Sequence, residues 1–193
     1  PFNLLDVVAA APLASRLLLG ATLPGRVIQL AALGVYTRSV VRDWSSRKGM
    51  RRVDFGAEFG SDVDRLEEQP RTSREMEMRR LAQLLDRDFV MPGDDRREVA
   101  RRANAALTDY LAGITGQRVE TSDEIRTVSL AWLIFPFAQG TCDMLSGDVA
   151  VYRDAGIFMA HLIAHEFVHR KGYVKELHAQ ALAYLALRNS DDP

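Results

Sequence analysis

A single cysteine, Cys142, stands in the 193 residues, so an intrachain disulfide is excluded. As a lone small thiol it fits a buried packing role better than a metal ligand. Charge of one sign is lacking too. Lys and Arg number 25 against 26 Asp and Glu, which gives no electrostatic reason to expect a nucleic-acid partner. No uncharged apolar run before residue 41 reaches the roughly 18–20 residues that a clean membrane span needs. Repeats and low-complexity tracts are absent. No basic region precedes the first apolar stretch, so a secretory signal is poorly matched. The chain opens Pro1-Phe2-Asn3 without an initiator methionine, as a trimmed, mature or fragmentary form would. What remains is globular composition, 47% hydrophobic and 26% charged, enough for a substantial core.

Residues 1–41 are strongly apolar, with only Asp6, Arg16, Arg26 and Arg38 charged. The spacing predicts helices over 3–20 and 26–44, joined at Leu23-Pro24-Gly25. Arg38, Arg42, Arg47, Lys48, Arg51 and Arg52 follow, against one acid, Asp43. Two readings stand equally: a core hairpin, or a segment lying in or against a bilayer, with the basic cluster facing anionic lipid. Residues 54–70 are acidic and turn-rich and read as a connector. Thr72-Ser-Arg-Glu75 has capping-box spacing and opens a helix to about residue 87. Asp94 or Asp95 caps another reaching about Leu111, whose Val99, Ala103, Leu107 and Leu111 share a face. After Gly116 the β-branched and aromatic stretches 118–121 and 126–135 predict strands. Residues 147–153 alternate with period two and predict a short one. The expected class is therefore α+β and mainly helical, organised as an apolar segment 1–52, a connector 53–71 and a catalytic domain 72–193.

Histidine is scarce as well, and its placement is informative: all four lie between His161 and His178. His165-Glu166-Phe167-Val168-His169 is an HExxH sequence. Residues four apart project from nearly the same helix face, so His165 and His169 can share one ion. Glu166, 100° further round, can reach a water beside it. Leu162, Ile163, Phe167 and Val168 bury the rest of the helix. A hydrolytic zinc ordinarily takes a third protein ligand and keeps a fourth position open. Glu176 and His178 compete for that role. On an unbroken helix Glu176 would lie about 16 Å beyond His165. Gly172 can close the helix in the left-handed conformation and let a second one start near Val174. That places Glu176 in a first turn, with Gln180 one turn beyond as a group that orients a ligand. His178 points about 200° away and reads as a surface residue or an oxyanion donor. His161 continues the stripe upstream, too far from His169 to share its ion, and reads as a packed residue.

The run from His165 through Leu185 resembles the HExxHxxGxxxE pattern of a family of bacterial membrane-associated zinc metallopeptidases of the gluzincin type. The resemblance covers about 147–187. It implies a zincin-like core and a hydrolase with one Zn²⁺ per chain. It also implies His165, His169 and Glu176 as ligands, Glu166 as general base and a peptide or protein as substrate. It implies a bacterial, membrane-associated location through residues 1–52; without that, the chain reads as soluble and cytoplasmic. Gln180 stands where the family has Asn, and His178 where it has a second acid. Zincins of this type set an edge strand beside the cleft, which points to Asp148, Val149, Ala150 and Val151 as the substrate-binding strand. Tyr152, Tyr173 and His178 are the oxyanion candidates. A non-catalytic zinc-stapled helical module is the alternative, with Cys142 or His178 completing a closed four-ligand site.

Overall fold

A computed structural model of the chain describes residues 4–60, 95–127 and 138–190, together with isolated positions at 72, 75, 76, 79, 80 and 83. The chain divides into two compact units, one of Pro1–Val53 with Asp95–Pro193, the other of Asp54–Asp94. The architecture is α+β and mainly helical, with one small sheet.

In the first unit, α1 (Leu4–Leu19) and α2 (Leu23–Arg47) form a hairpin. Gly20, at φ 60°, turns the chain, and the Thr22 hydroxyl caps α2 by accepting from the Gly25 amide. α4 (Arg96–Thr115) is capped by Asp95 and closed by Gly116 in the left-handed conformation. β1 (Ile125–Arg126), β2 (Gly140–Cys142) and β3 (Val149–Val151) make a sheet in the order β1-β3-β2. β1 runs parallel to β3 and β2 antiparallel. A single 3₁₀ turn (Gly156–Phe158) leads into α5 (Met159–Arg170), and α6 (Glu176–Arg188) follows.

Three helices and the central strand share the core. Ala100, Ala103, Leu107 and Leu111 of α4 are buried together with Ile163, Ala164, Phe167 and Val168 of α5. Ala179, Leu182, Ala183 and Ala186 of α6 and the whole of β3 complete it. Alanine at so many contact positions lets the helices approach closely, and α4, α5 and α6 touch pairwise. In the second unit, α3 (Phe55–Phe59) is a single turn capped by Asp54, whose carboxylate accepts from the Ala57 amide at 3.1 Å, and ended by Gly60 at φ 63°.

The two N-terminal helices, the Asp95-capped helix, the Gly172 stop and the helix after it stand as the sequence predicts, but Leu23-Pro24-Gly25, expected as the joining turn, is the first turn of α2, and the chain turns at Gly20 instead. The strands do not stand as predicted. Residues 118–121 carry no strand, because Lys171 claims the Val119 carbonyl and the Thr121 hydroxyl, and Asn104 the Thr121 carbonyl. Of 126–135 only Arg126 is seen in β1; 128–137 lie outside the described residues, as do 61–71 and most of 72–87. Residues 1–53 also join the unit built from 95 onward, instead of standing as a separate segment. The base of α2 is the reason. Ser39 Oγ donates to the Ser146 carbonyl at 3.1 Å, and Arg47 to the Met144 carbonyl at 2.9 Å. Asp43, ion-paired with Arg47, sits so close to Gly147 that any side chain there would collide with its carboxylate.

Candidate metal centre

His165 and His169 lie on α5 four residues apart, both buried, with their Nε2 atoms 3.2 Å from each other. Glu176, the first residue of α6, brings one carboxylate oxygen to 3.1 Å from His165 Nε2 and the other to 3.3 Å from His169 Nε2. Two helices meet at this point because Gly172 stops the first. Its φ is 88°, its amide donates to the His169 carbonyl at 2.7 Å, and the Tyr173 amide donates to the Val168 carbonyl at 3.2 Å. A side chain at Gly172 would also strike the guanidinium of Arg52. The turn returns the Tyr173 carbonyl to the ring of His169, whose Nδ1–H donates to it at 2.7 Å. That bond fixes the tautomer and leaves the Nε2 lone pair facing Glu176.

These three residues fit a zinc ion. Tetrahedral bonds of the ordinary length put neighbouring ligand atoms about 3.3 Å apart; the two imidazole Nε2 atoms are 3.2 Å apart, each faces a different oxygen of Glu176, and with one ligand atom per residue the three lie within 4.8 Å of one another. Among the described residues they are the one group of three His, Cys, Asp or Glu side chains close enough to hold a metal. Neither Cys142 nor His178 belongs to it. Burial, followed by the charge of His169, lowers the His165 pKa, which keeps that imidazole neutral and able to ligate.

Glu166 is buried beside the ligands, and burial, with a smaller push from the Glu176 carboxylate, raises its pKa to about 8. Its carboxylate faces β2. A Cβ on Gly140 would stand only 3.0 Å from Glu166 Oε1 and 3.2 Å from the Ala150 carbonyl, so only glycine lets the strand lie this near. The site opens into a cleft of about 670 Å³. It is lined by Ala138–Cys142, by the apolar Met144, Phe158 and Leu162, and by Val174, Gln180 and His161.

Several expected residues stand elsewhere. Asp148–Val151 do not offer the substrate edge: β3 is the central strand, paired with β1 and β2, with Val149–Val151 fully buried. Asp148 is buried and paired with Arg126. Among the described residues β2 is the edge strand that lines the cleft, and Gly-Thr-Cys has no period-two pattern by which to find it. Gln180 pairs with His161 at 2.7 Å instead of orienting a ligand. Each lies one turn from a ligand, Gln180 after Glu176 and His161 before His165. Tyr173 is tied down by the Val53 amide, which donates to its hydroxyl at 3.3 Å, so its hydroxyl is not on the cleft wall. His178 is also outside the cleft lining. The buried Tyr152 hydroxyl has no hydrogen-bond partner among the described residues; burial and then Glu166 raise its pKa.

Two residues that sequence reasoning passed over hold the metal helix in place. Arg170, buried at the end of α5, donates to the carbonyls of Gly147, Ser122 and Glu124, the last at 2.7 Å. Lys171 donates to Thr108 Oγ1 at 2.8 Å, Thr121 Oγ1 at 3.0 Å and the Val119 carbonyl at 3.1 Å, and burial lowers its pKa to about 8. In sequence they look like ordinary cations at a helix C-terminus.

No protein-family model, curated protein or solved structure matches the chain.

Proposed function

We propose that the chain is a zinc-dependent peptidase with a zincin-like core. The observation that carries this reading is the three-ligand group, open on its cleft side and flanked by a buried carboxylate. His165, His169 and Glu176 would hold the ion. When bound there, zinc supplies Lewis acidity and lowers the pKa of an adjacent water towards 7. The residues of the chain do the rest. Glu166 accepts the water proton as general base and delivers it to the leaving amine. A peptide adds to the edge of β2 that no strand among the described residues pairs, whose backbone supplies the pairing groups. The apolar lining residues Met144, Phe158 and Leu162 favour an apolar side chain. None of the oxyanion candidates Tyr152, Tyr173 and His178 lines the cleft. A closed structural zinc site is the weaker reading, since Cys142 and His178 both stay out of the ligand group.

Metal content of the wild type, Glu176→Ala and His178→Ala, measured side by side, tests the ligand set. About one zinc per chain is expected in wild type and His178→Ala, and none in Glu176→Ala. Glu166→Gln is expected to keep zinc and to lose peptide turnover by about two orders of magnitude or more. A Glu166→Gln protein as active as wild type would sink the assignment.

A further inference from the structure

The α1–α2 hairpin is built with its polarity reversed. Its described seam residues are small or polar. Ser15, Gly25 and Ala32 are buried, and Gln29 Nε2 donates to Ser15 Oγ at 3.2 Å. Asp6 is buried too, at 7% exposure. The leucines face outward: Leu17, Leu18 and Leu23 are 77%, 83% and 76% exposed, and Leu13 and Leu30 exceed 60%. Soluble domains expose single apolar residues, but not a contiguous set with polar groups inside. Small residues and hydrogen-bonded polar groups between helices, with apolar side chains outside, are the pattern of helices packed in lipid.

The charges point the same way. Both acids of the hairpin, Asp6 and Asp43, are buried, whereas Arg16, Arg26, Arg38, Arg42 and Lys48 are exposed. Every exposed charge on α1 and α2 is therefore positive, which suits an anionic surface. A second copy docking through the same face would oppose cation to cation. Nor is the apolar surface a single stripe that a partner helix would need. Val27, Ile28, Leu30 and Leu33 are all exposed and sweep well over half the circumference of α2.

Length decides how the hairpin would lie. The uncharged stretch 27–37 is about 16 Å long, half of the roughly 30 Å hydrocarbon core. No helix is long and apolar enough among the described residues to cross a membrane. Arg16 and Arg26 sit within one turn of the tip, so tip-first insertion would carry two guanidiniums towards the bilayer centre. Lying in the boundary between headgroups and acyl chains lets the leucines sink while the arginine stems reach back to the phosphates.

We propose that the α1–α2 hairpin is an interfacial anchor that seats the protein on an anionic lipid bilayer without crossing it, through Leu13, Leu17, Leu18, Leu23 and Leu30 and the flanking arginines. It is independent of the peptidase reading. The base of the hairpin, pinned through Ser39, Asp43 and Arg47, would hold the metal cleft at a fixed place relative to the membrane.

Co-sedimentation of the full chain with vesicles tests this, using phosphatidylcholine alone and phosphatidylcholine with about a third phosphatidylglycerol. Wild type is expected to sediment with the anionic vesicles. The Leu17→Glu/Leu18→Glu/Leu30→Glu variant is expected to bind at least about a hundredfold more weakly, with unchanged circular dichroism because all three positions are exposed. Arg16→Gln/Arg38→Gln keeps the apolar surface and is expected to weaken binding to anionic vesicles by roughly tenfold. Wild type remaining in the supernatant with both vesicles would overturn the proposal. So would a leucine variant that still sediments like wild type, or a wild-type dimer that the leucine variant breaks with no vesicle binding in either protein.

Discussion

The helices that carry the histidine pair and Glu176, α5 and α6, and the N-terminal hairpin are two helix pairs in one unit, built on opposite rules. In α5 and α6 the apolar side chains Ile163, Phe167, Val168 and Leu182 are wholly buried. Most polar groups held inside have partners: Arg170 on three carbonyls, Lys171 on two hydroxyls and a carbonyl, and His169 on the Tyr173 carbonyl, whereas His165 Nδ1 has none among the described residues. In α1 and α2 the seam is small and polar and the leucines are outside. The first pair is stabilised by water leaving its apolar surface. The second gains little from that effect, because its leucines stay exposed.

The sharpest break in this contrast comes from Arg170. Arg170→Met leaves three carbonyls without donors and is expected to cost about 3–5 kcal/mol in denaturant unfolding, although the side chain keeps its apolar stem. A loss below about 1 kcal/mol would show that the pin is not needed. Leu107→Ala, in the shared core, is expected to cost about 2–5 kcal/mol. Leu18→Ala, in the hairpin, should change stability in aqueous buffer by no more than about 0.5 kcal/mol. Equal losses at Leu107 and Leu18 would erase the distinction between the two pairs.

The metal-free site adds a pH test of intermediate size. Glu166 keeps its proton to about 8 in the folded protein, against about 4.3 in an unfolded chain. Below the unfolded value both states are protonated and the group costs nothing. As pH rises from there to about 8, the unfolded chain releases its proton while the fold retains it, so stability falls across that window and then levels. Metal-free Glu166→Gln should lose most of this slope and be more stable than wild type at pH 7 by up to about 3 kcal/mol. Parallel melting curves of the two proteins from pH 4.5 to 8 would reveal no divergence if burial of Glu166 were incidental.

Much of the site was legible because its determinants are local. Helical spacing alone sets His165 beside His169, and the freedom of Gly172 at positive φ permits the turn that brings Glu176 back. The edge strand was not legible. β2 is three residues long, and what marks it is Gly140, whose missing side chain matters only because Glu166 lies against it from a helix 26 residues later in the chain. Gln180 was misplaced for a similar reason: its partner His161 is set by how two helices abut, which no spacing within either helix states. The sequence also left the hairpin undecided between core and bilayer. Residue order could specify its two helices, but only the packed structure shows which faces meet.

By itself, then, the sequence determined the helices, their caps, the imidazole pair and the absence of any disulfide or long apolar span, all properties of short-range sterics, periodicity and composition. Tertiary structure decided which strand edges the cleft, which cations are buried as pins and which side chains of the hairpin face outward. Those depend on surfaces meeting across long separations in the chain, where burial and hydrogen-bond satisfaction choose among arrangements that local preference leaves equal.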